Sequence, residues 1–176
     1  MKFLNQCVLG APSEKLWGFL TDIPSVARCL PGVEEVSAVE DGKYIGVIAV
    51  KVGMIKLRLS GRITIELMDH ERRIASMRVE AADQKISGMI QGTMTMNLEP
   101  LAPEVTRLNV ESDVNLFGKI GEFGQPMIKK KADRMITEFA SNVAGMVGAD
   151  PESARRTMPA SSILGLSGGL SGGSED

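Results

Sequence analysis

Apolar positions recur at every second residue over most of this chain, and at every third or fourth residue near both ends of that region. Residues 2–9 alternate, placing Phe3, Asn5, Cys7 and Leu9 on one face, which predicts a first strand. Leu16, Trp17, Phe19 and Leu20 then follow helical spacing. Ala11-Pro12-Ser13 opens that helix, with Ser13 as the candidate N-cap and Glu14 in the first turn. Asp22-Ile23-Pro24 is expected to end it, and residues 25–30 to add one short helix before Pro31-Gly32 turns the chain. Period two then governs the chain as far as Leu116. The predicted strands are 33–40, 43–52, 55–67, 72–82, 85–99 and 105–116, with turn signals at Asp41-Gly42, Gly53, Asp69-His70-Glu71 and Pro100 to Pro103. In 55–67, Ile55, Leu57, Leu59, Ile63, Ile65 and Leu67 share one side while Lys56, Arg58, Ser60, Arg62, Thr64 and Glu66 share the other. That is an antiparallel sheet with one dry face. Over 118–147 helical spacing returns, with a stripe of Ile120, Phe123, Met127, Met135, Ile136, Phe139, Val143 and Met146. Pro126 marks either its start or a bend. From Gly148 onward Ser, Gly, Pro and charge dominate, so the reading is one domain over 1–147 and a flexible tail over 148–176.

A long helix must bury its stripe, and the dry face of the sheet is the partner available. The expected architecture is α+β: a curved antiparallel seven-stranded sheet wrapped around a long C-terminal helix, with two short helices after the first strand. The dry face of 85–99 reads Ile86, Gly88, Ile90, Gly92, Met94, Met96, Leu98; its two glycines are expected to let the sheet bend and to leave space above it. Such space is an apolar cavity. Its candidate lining is Trp17, Leu20, Tyr44, Leu57, Leu59, Met77, Val79, Ile90, Gly92, Met94, Val110, Phe123, Met127 and Met135. Tyr44 is the one phenol, and its hydroxyl either packs at a rim or meets a ligand carbonyl. Asn5 and Ser112 interrupt apolar faces, so each either bonds backbone or offers the cavity a polar group. The methionines are either plain core or an adaptable lining for a long apolar ligand.

Composition narrows the function. Lys+Arg 20 against Asp+Glu 22 gives a net charge of −2, and aromatics are 4%, which disfavours nucleic acid as a partner. Cys7 and Cys29 lie far apart with no CxxC spacing; a structural disulfide is unforced, and two buried free thiols in a reducing cytosol is the preferred reading. No signal peptide or membrane span is apparent. The single histidine, His70, sits in the polar turn DHERR and reads as a solvated residue. With it, two scattered cysteines and no nucleotide or nucleophile motif, the expectation is no metal, no covalent cofactor and no catalysis. The Lys129-Lys130-Lys131 run and the Lys51 to Lys56 hairpin read as solvated or as a contact surface. Met54, Ile55, Lys56, Lys129 and Lys130 are the candidate membrane or partner contacts. In the tail, Arg155-Arg156 followed by Ile163-Leu164-Gly165-Leu166 and Leu170 is too short to span and too glycine-rich for a stable amphipathic helix.

The stretches MKFLNQCVLGAPSEKLWGFLTD, VARCLPGVEEV and YIGVIAVKVGMIKLRLSG, with Gly118-Lys119-Ile120 and Phe123-Gly124, resemble the G-subunit family of aerobic carbon monoxide dehydrogenases over residues 1–147. That family belongs to the START-like, helix-grip, polyketide cyclase-like superfamily. The resemblance implies an accessory protein of a molybdenum hydroxylase, peripherally associated with the inner face of the cytoplasmic membrane. An apolar pocket beside a membrane-linked oxidase implies in turn a bound quinone, menaquinone or ubiquinone, that accepts the enzyme's electrons. Two other readings accompany it: a ligand-free adaptor that recruits the dehydrogenase to the membrane, and a cyclase- or hydratase-type enzyme on the same fold.

Overall fold

The computed structural model describes residues 1–149 and the backbone of 155–157. Strand β1 (Lys2–Leu9) leads into helices α1 (Ser13–Leu20) and α2 (Ile23–Ala27). Strands β2 (Val33–Glu40), β3 (Lys43–Val52), β4 (Ile55–Asp69), β5 (Ile74–Asp83), β6 (Gly88–Ala102) and β7 (Val105–Gly118) follow. A 3-10 turn (Lys119–Glu122) then precedes the long helix α3 (Gln125–Met146). All pairings are antiparallel, in the order β2-β3-β4-β5-β6-β7-β1. Arg155–Thr157 adds a short strand, β8, on the outer edge of β1. The remainder of the expected tail, including Ile163 to Leu170, lies outside the described residues. The architecture is the expected one: a helix gripped by a curved antiparallel sheet, with two short helices after the first strand.

Local chemistry moves several boundaries. Pro24 and Pro126 each occupy the first turn of a helix, α2 and α3, where the missing N–H has no intrahelical partner to lose. Pro24 therefore opens the second helix where it was expected to close the first. Ser13 is not a cap, since Pro12 precedes the first helical residue and the Ser13 hydroxyl accepts instead from the Arg73 guanidinium. A register shift between Ile65 and Leu67 inverts the face of β4 beyond it. Leu67, expected on the dry side, is 47% exposed, and Met68 packs against the core in its place.

The core divides into two clusters. The larger joins β1, α1, the end of α2 and the last turns of α3 through Cys7, Leu9, Leu16, Trp17, Cys29, Leu108, Val143 and Ala144. The smaller sits at the other end of the grip, where Val52, Leu57, Leu59 and Ile120 meet Phe123 and Ile128. Side chains pin the pieces. Asn142 donates to the Cys29 carbonyl at 2.9 Å, tying α3 to the turn after α2, and Asn5 donates to Asp133 at 3.0 Å, tying it to β1. Thr106, fully buried, donates to the Ala11 carbonyl at 2.8 Å.

Candidate functional site: a hollow between sheet and helix

Strand register places the inward-facing side chains in rows that cross the sheet. One row runs Tyr44–Ile63–Val79–Gly92–Val114 over β3 to β7. The next runs Ile65–Met77–Met94–Ser112–Phe3, from β4 to β1. Apart from Phe3, every member is only half-buried, although it faces the side covered by α3. The rows on either side are packed. Gly61–Ala81–Ile90–Leu116 adjoins the small cluster, and Ala75–Met96–Val110 belongs to the large one. Apolar residues that face the helix side yet stay accessible mark the space between the two clusters as a candidate hollow, since a filled interior leaves few voids larger than a water molecule. At ~4.8 Å between strands, a five-strand row spans about 19 Å. On α3, Ile128 joins the small cluster while Ile136 and Phe139 pack on the large one. Ala132 and Met135, half-buried between them, form the roof.

The floor carries two hydroxyls, Tyr44 and Ser112. Neither has a hydrogen-bond partner among the described residues, so both are free to meet solvent or a ligand. Other inward polar groups are spent on structure. Asp83 is buried and accepts from the Arg58, Lys85 and Ile86 amides at 2.8, 2.8 and 3.2 Å; the Arg58 amide is the main reason its carboxyl sits below the usual value. Asn5 is committed to Asp133, neither to backbone nor to the hollow, and Asp133 also pairs with Lys129 at 3.0 Å. His70 accepts from the Trp17 indole at 3.0 Å, so its ring supports α1. Cys7 and Cys29 are free and buried, and burial pushes the Cys7 thiol up to about 12 and raises Cys29.

The structure sorts the candidate lining into three groups. Tyr44, Met77, Val79, Gly92 and Met94 lie on the floor and Met135 in the roof. Trp17, Leu20 and Val110 belong to the large cluster, Leu57 and Leu59 to the small one with Ile90 and Phe123 packed on it, so these seven close the two ends. Met127 lies outside: it is 45% exposed and its sulfur rests against Gly53 in the β3–β4 turn. Met146, expected on the buried stripe, is also exposed. The glycines do not leave space as expected. The Ile120 side chain fills the position above Gly88, and a Cβ on Gly92 would meet the Asp113 carbonyl of β7 at 2.8 Å. They permit close approach, and the hollow comes instead from the gap between clusters. Ile63, Ile65, Val114 and Ala132 belong to the hollow and were not among the candidates. The two isoleucines were already legible as inward-facing, but only pairing register reveals the shared row.

Two open grooves lie elsewhere. One, of about 790 Å³, follows the polar side of α3 past Lys129, Asp133, Thr137 and Ser141. The other, of about 380 Å³, lies beside the β5–β6 turn and Phe117. The contact candidates Met54, Ile55, Lys56, Lys129 and Lys130 are all exposed, Met54 most of all at 91%. No helix among the described residues is long and apolar enough to cross a membrane.

The family model for CoxG, the G subunit of carbon monoxide dehydrogenase, matches residues 6–148. No curated protein gives a significant match. Among solved structures, a conserved protein from Geobacillus kaustophilus superposes with a TM-score of 0.77 at 18% identity, covering 90% of this chain and 100% of that one. Zhui aromatase/cyclase from a Streptomyces species gives a TM-score of 0.63 at 18% identity, over 84% of this chain and 93% of that one. A START superfamily protein from Mycobacterium smegmatis gives 0.59 at 13%, over 84% and 97%. At these identities the likeness is one of fold, the START-like helix grip.

Proposed function

This chain belongs to the CoxG family of carbon monoxide dehydrogenase G subunits, and from that membership we propose that it carries an apolar, lipid-like ligand for such a dehydrogenase. The ligand lies in the hollow between the sheet and α3, and its chemical class is a prenylated quinone, menaquinone or ubiquinone. The protein thereby links the dehydrogenase to the cytoplasmic membrane and to its electron acceptor, acting from the inner face as a peripheral protein. The carrying observation is the pair of half-buried rows under α3, apolar throughout except for two hydroxyls without a partner among the described residues. A flat ring with opposed carbonyls and an apolar tail suits such a surface. Burial of the tail supplies affinity at ~25 cal/mol per Å², less the costs of association. The hydroxyls of Tyr44 and Ser112 supply donors for carbonyl oxygens.

The accessory reading is favoured over a cyclase-type enzyme by what the titratable groups already do. Asp83 accepts from three backbone amides and His70 is engaged by Trp17 outside the hollow, which leaves no carboxylate or imidazole in the two floor rows. Native mass spectrometry of the purified protein, followed by solvent extraction, tests the cargo. A bound prenylated quinone is the expected result; an empty protein, or one loaded only with phospholipid, overturns the quinone assignment.

A further inference from the structure

The end of the grip opposite α1 brings exposed apolar side chains together with lysines. The β3–β4 turn projects Met54, 91% exposed, with Ile55 exposed beside it. Met127, in the first turn of α3, rests on the same turn at Gly53, so the three apolar side chains form one patch. Lys130 and Lys131 stand three and four residues beyond Met127 and therefore on its side of the helix. Segments 51–57 and 119–132 hold six lysines and one acid, Glu122, in a chain whose net charge is −2.

One feature of this end is costly for the fold alone. Lys51 and Lys56 stand directly opposite each other across β3 and β4, a like-charge pair that weakens a hairpin. Among the described residues neither has an ion pair, and nor does Lys130. Unpaired lysines around a projecting thioether match a surface that is anionic outside and apolar just beneath, as a bilayer rich in acidic phospholipid is. A soluble anion would satisfy the charges but would leave Met54 and Ile55 in water.

We propose that this end is a docking surface for anionic lipid, with Met54, Ile55 and Met127 entering the boundary between headgroups and acyl chains while Lys51, Lys56 and Lys130 face the phosphates. It deepens the membrane half of the function above and is independent of the cargo. The docked orientation sets the small core cluster, and the hollow behind it, against the leaflet in which a prenylated ligand dissolves.

Co-sedimentation of the full chain with vesicles tests it. Binding is expected to equimolar phosphatidylcholine and phosphatidylglycerol, not to phosphatidylcholine alone, and is expected to weaken as salt is raised. Lys56→Ala with Lys130→Ala is expected to weaken partition by about thirtyfold, and Met54→Ser by about tenfold. All three side chains are exposed, so unchanged melting temperatures serve as the folding control. Variants that bind as tightly as the parent overturn this surface while leaving membrane linkage standing. A parent that binds neither vesicle overturns both, and loss of dehydrogenase binding in the same variants would then assign the patch to a protein contact.

Discussion

The indole N–H of Trp17 donates to Nδ1 of His70 at 3.0 Å, with the two rings edge to face at 5.8 Å between centroids. These are the only tryptophan and the only histidine in the chain. The bond joins α1 to the β4–β5 turn, which Asp69 stiffens by accepting from the Glu71 and Arg72 amides. The same turn also reaches α1 through Arg73 and Ser13. Nδ1 can accept only when it carries no proton, so the imidazole is in its Nε2–H tautomer.

His70→Leu removes that acceptor from a part-buried bond and leaves the Trp17 N–H without its partner. The expected loss is roughly 0.5–1.5 kcal/mol, the usual net worth of such a bond. Urea unfolding followed by Trp17 emission measures it directly. A loss within a few tenths of a kcal/mol would mean that the bond contributes nothing to holding α1.

Asp83 gives a pH signature at the opposite end of the sheet. Its carboxyl is held below the usual value chiefly by the Arg58 amide, helped by the Ile86 and Lys85 amides and by the Lys85 charge. A depressed folded value means the unfolded chain binds the proton more readily. The stabilisation is therefore complete above the unfolded value, about 3.9, and is lost as pH falls through the lower folded one. Asp83→Asn is expected to lower the melting temperature at neutral pH and to flatten the decline below about pH 4. Parallel acid-side curves for variant and parent would exclude a role for this carboxylate in acid stability.

Much of this architecture is legible before any coordinates, because period two and period 3.6 are local properties of the chain. The strands over 2–9, 33–40 and 43–52 appear at their observed ends. What fails is non-local. The register shift that exposes Leu67 and turns Met68 inward leaves no mark on the apolar pattern. The bond from Asn5 to Asp133 joins residues 128 apart, and nothing near either announces it. The hollow itself is a property of pairing. Tyr44, Ile63, Val79 and Val114 become neighbours only when five strands align, whereas the glycines that seemed to signal empty space are filled by Ile120 and by the β7 backbone.

Both thiols belong to the packing and not to chemistry. Cys7 is buried in the large cluster, and burial pushes its pKa up to about 12. The unfolded chain therefore releases that proton first. Stability due to the neutral thiol is whole below the unfolded value of about 8.5 and declines as pH rises from there toward 12. Iodoacetamide at pH 8 is expected to leave Cys7 unmodified in the native protein and to modify it fully in urea. Rapid native labelling, read by peptide mass spectrometry, would show that the cluster opens.

The two floor hydroxyls and the apolar rows between them make separable contributions to a bound ligand. Val79→Phe adds volume at the middle of the floor, where Val79 faces Ile63 on one side and Gly92 on the other. If the space is a hollow, the larger ring fills it without strain, and the melting temperature of ligand-free protein holds or rises. In a packed site the same change would destabilise by about 1–3 kcal/mol. Filling the floor should also expel cargo, so quinone recovered per mole of protein is expected to fall sharply in Val79→Phe. Tyr44→Phe keeps the shape and removes one donor. It is expected to weaken retention by about tenfold, the value of one hydrogen bond of about 1.4 kcal/mol, with no change in melting temperature, because that hydroxyl has no partner to lose among the described residues. A destabilised Tyr44→Phe would place the hydroxyl in the fold's own network and remove it from ligand recognition. Undiminished quinone in Val79→Phe would move the binding site away from the sheet–helix hollow.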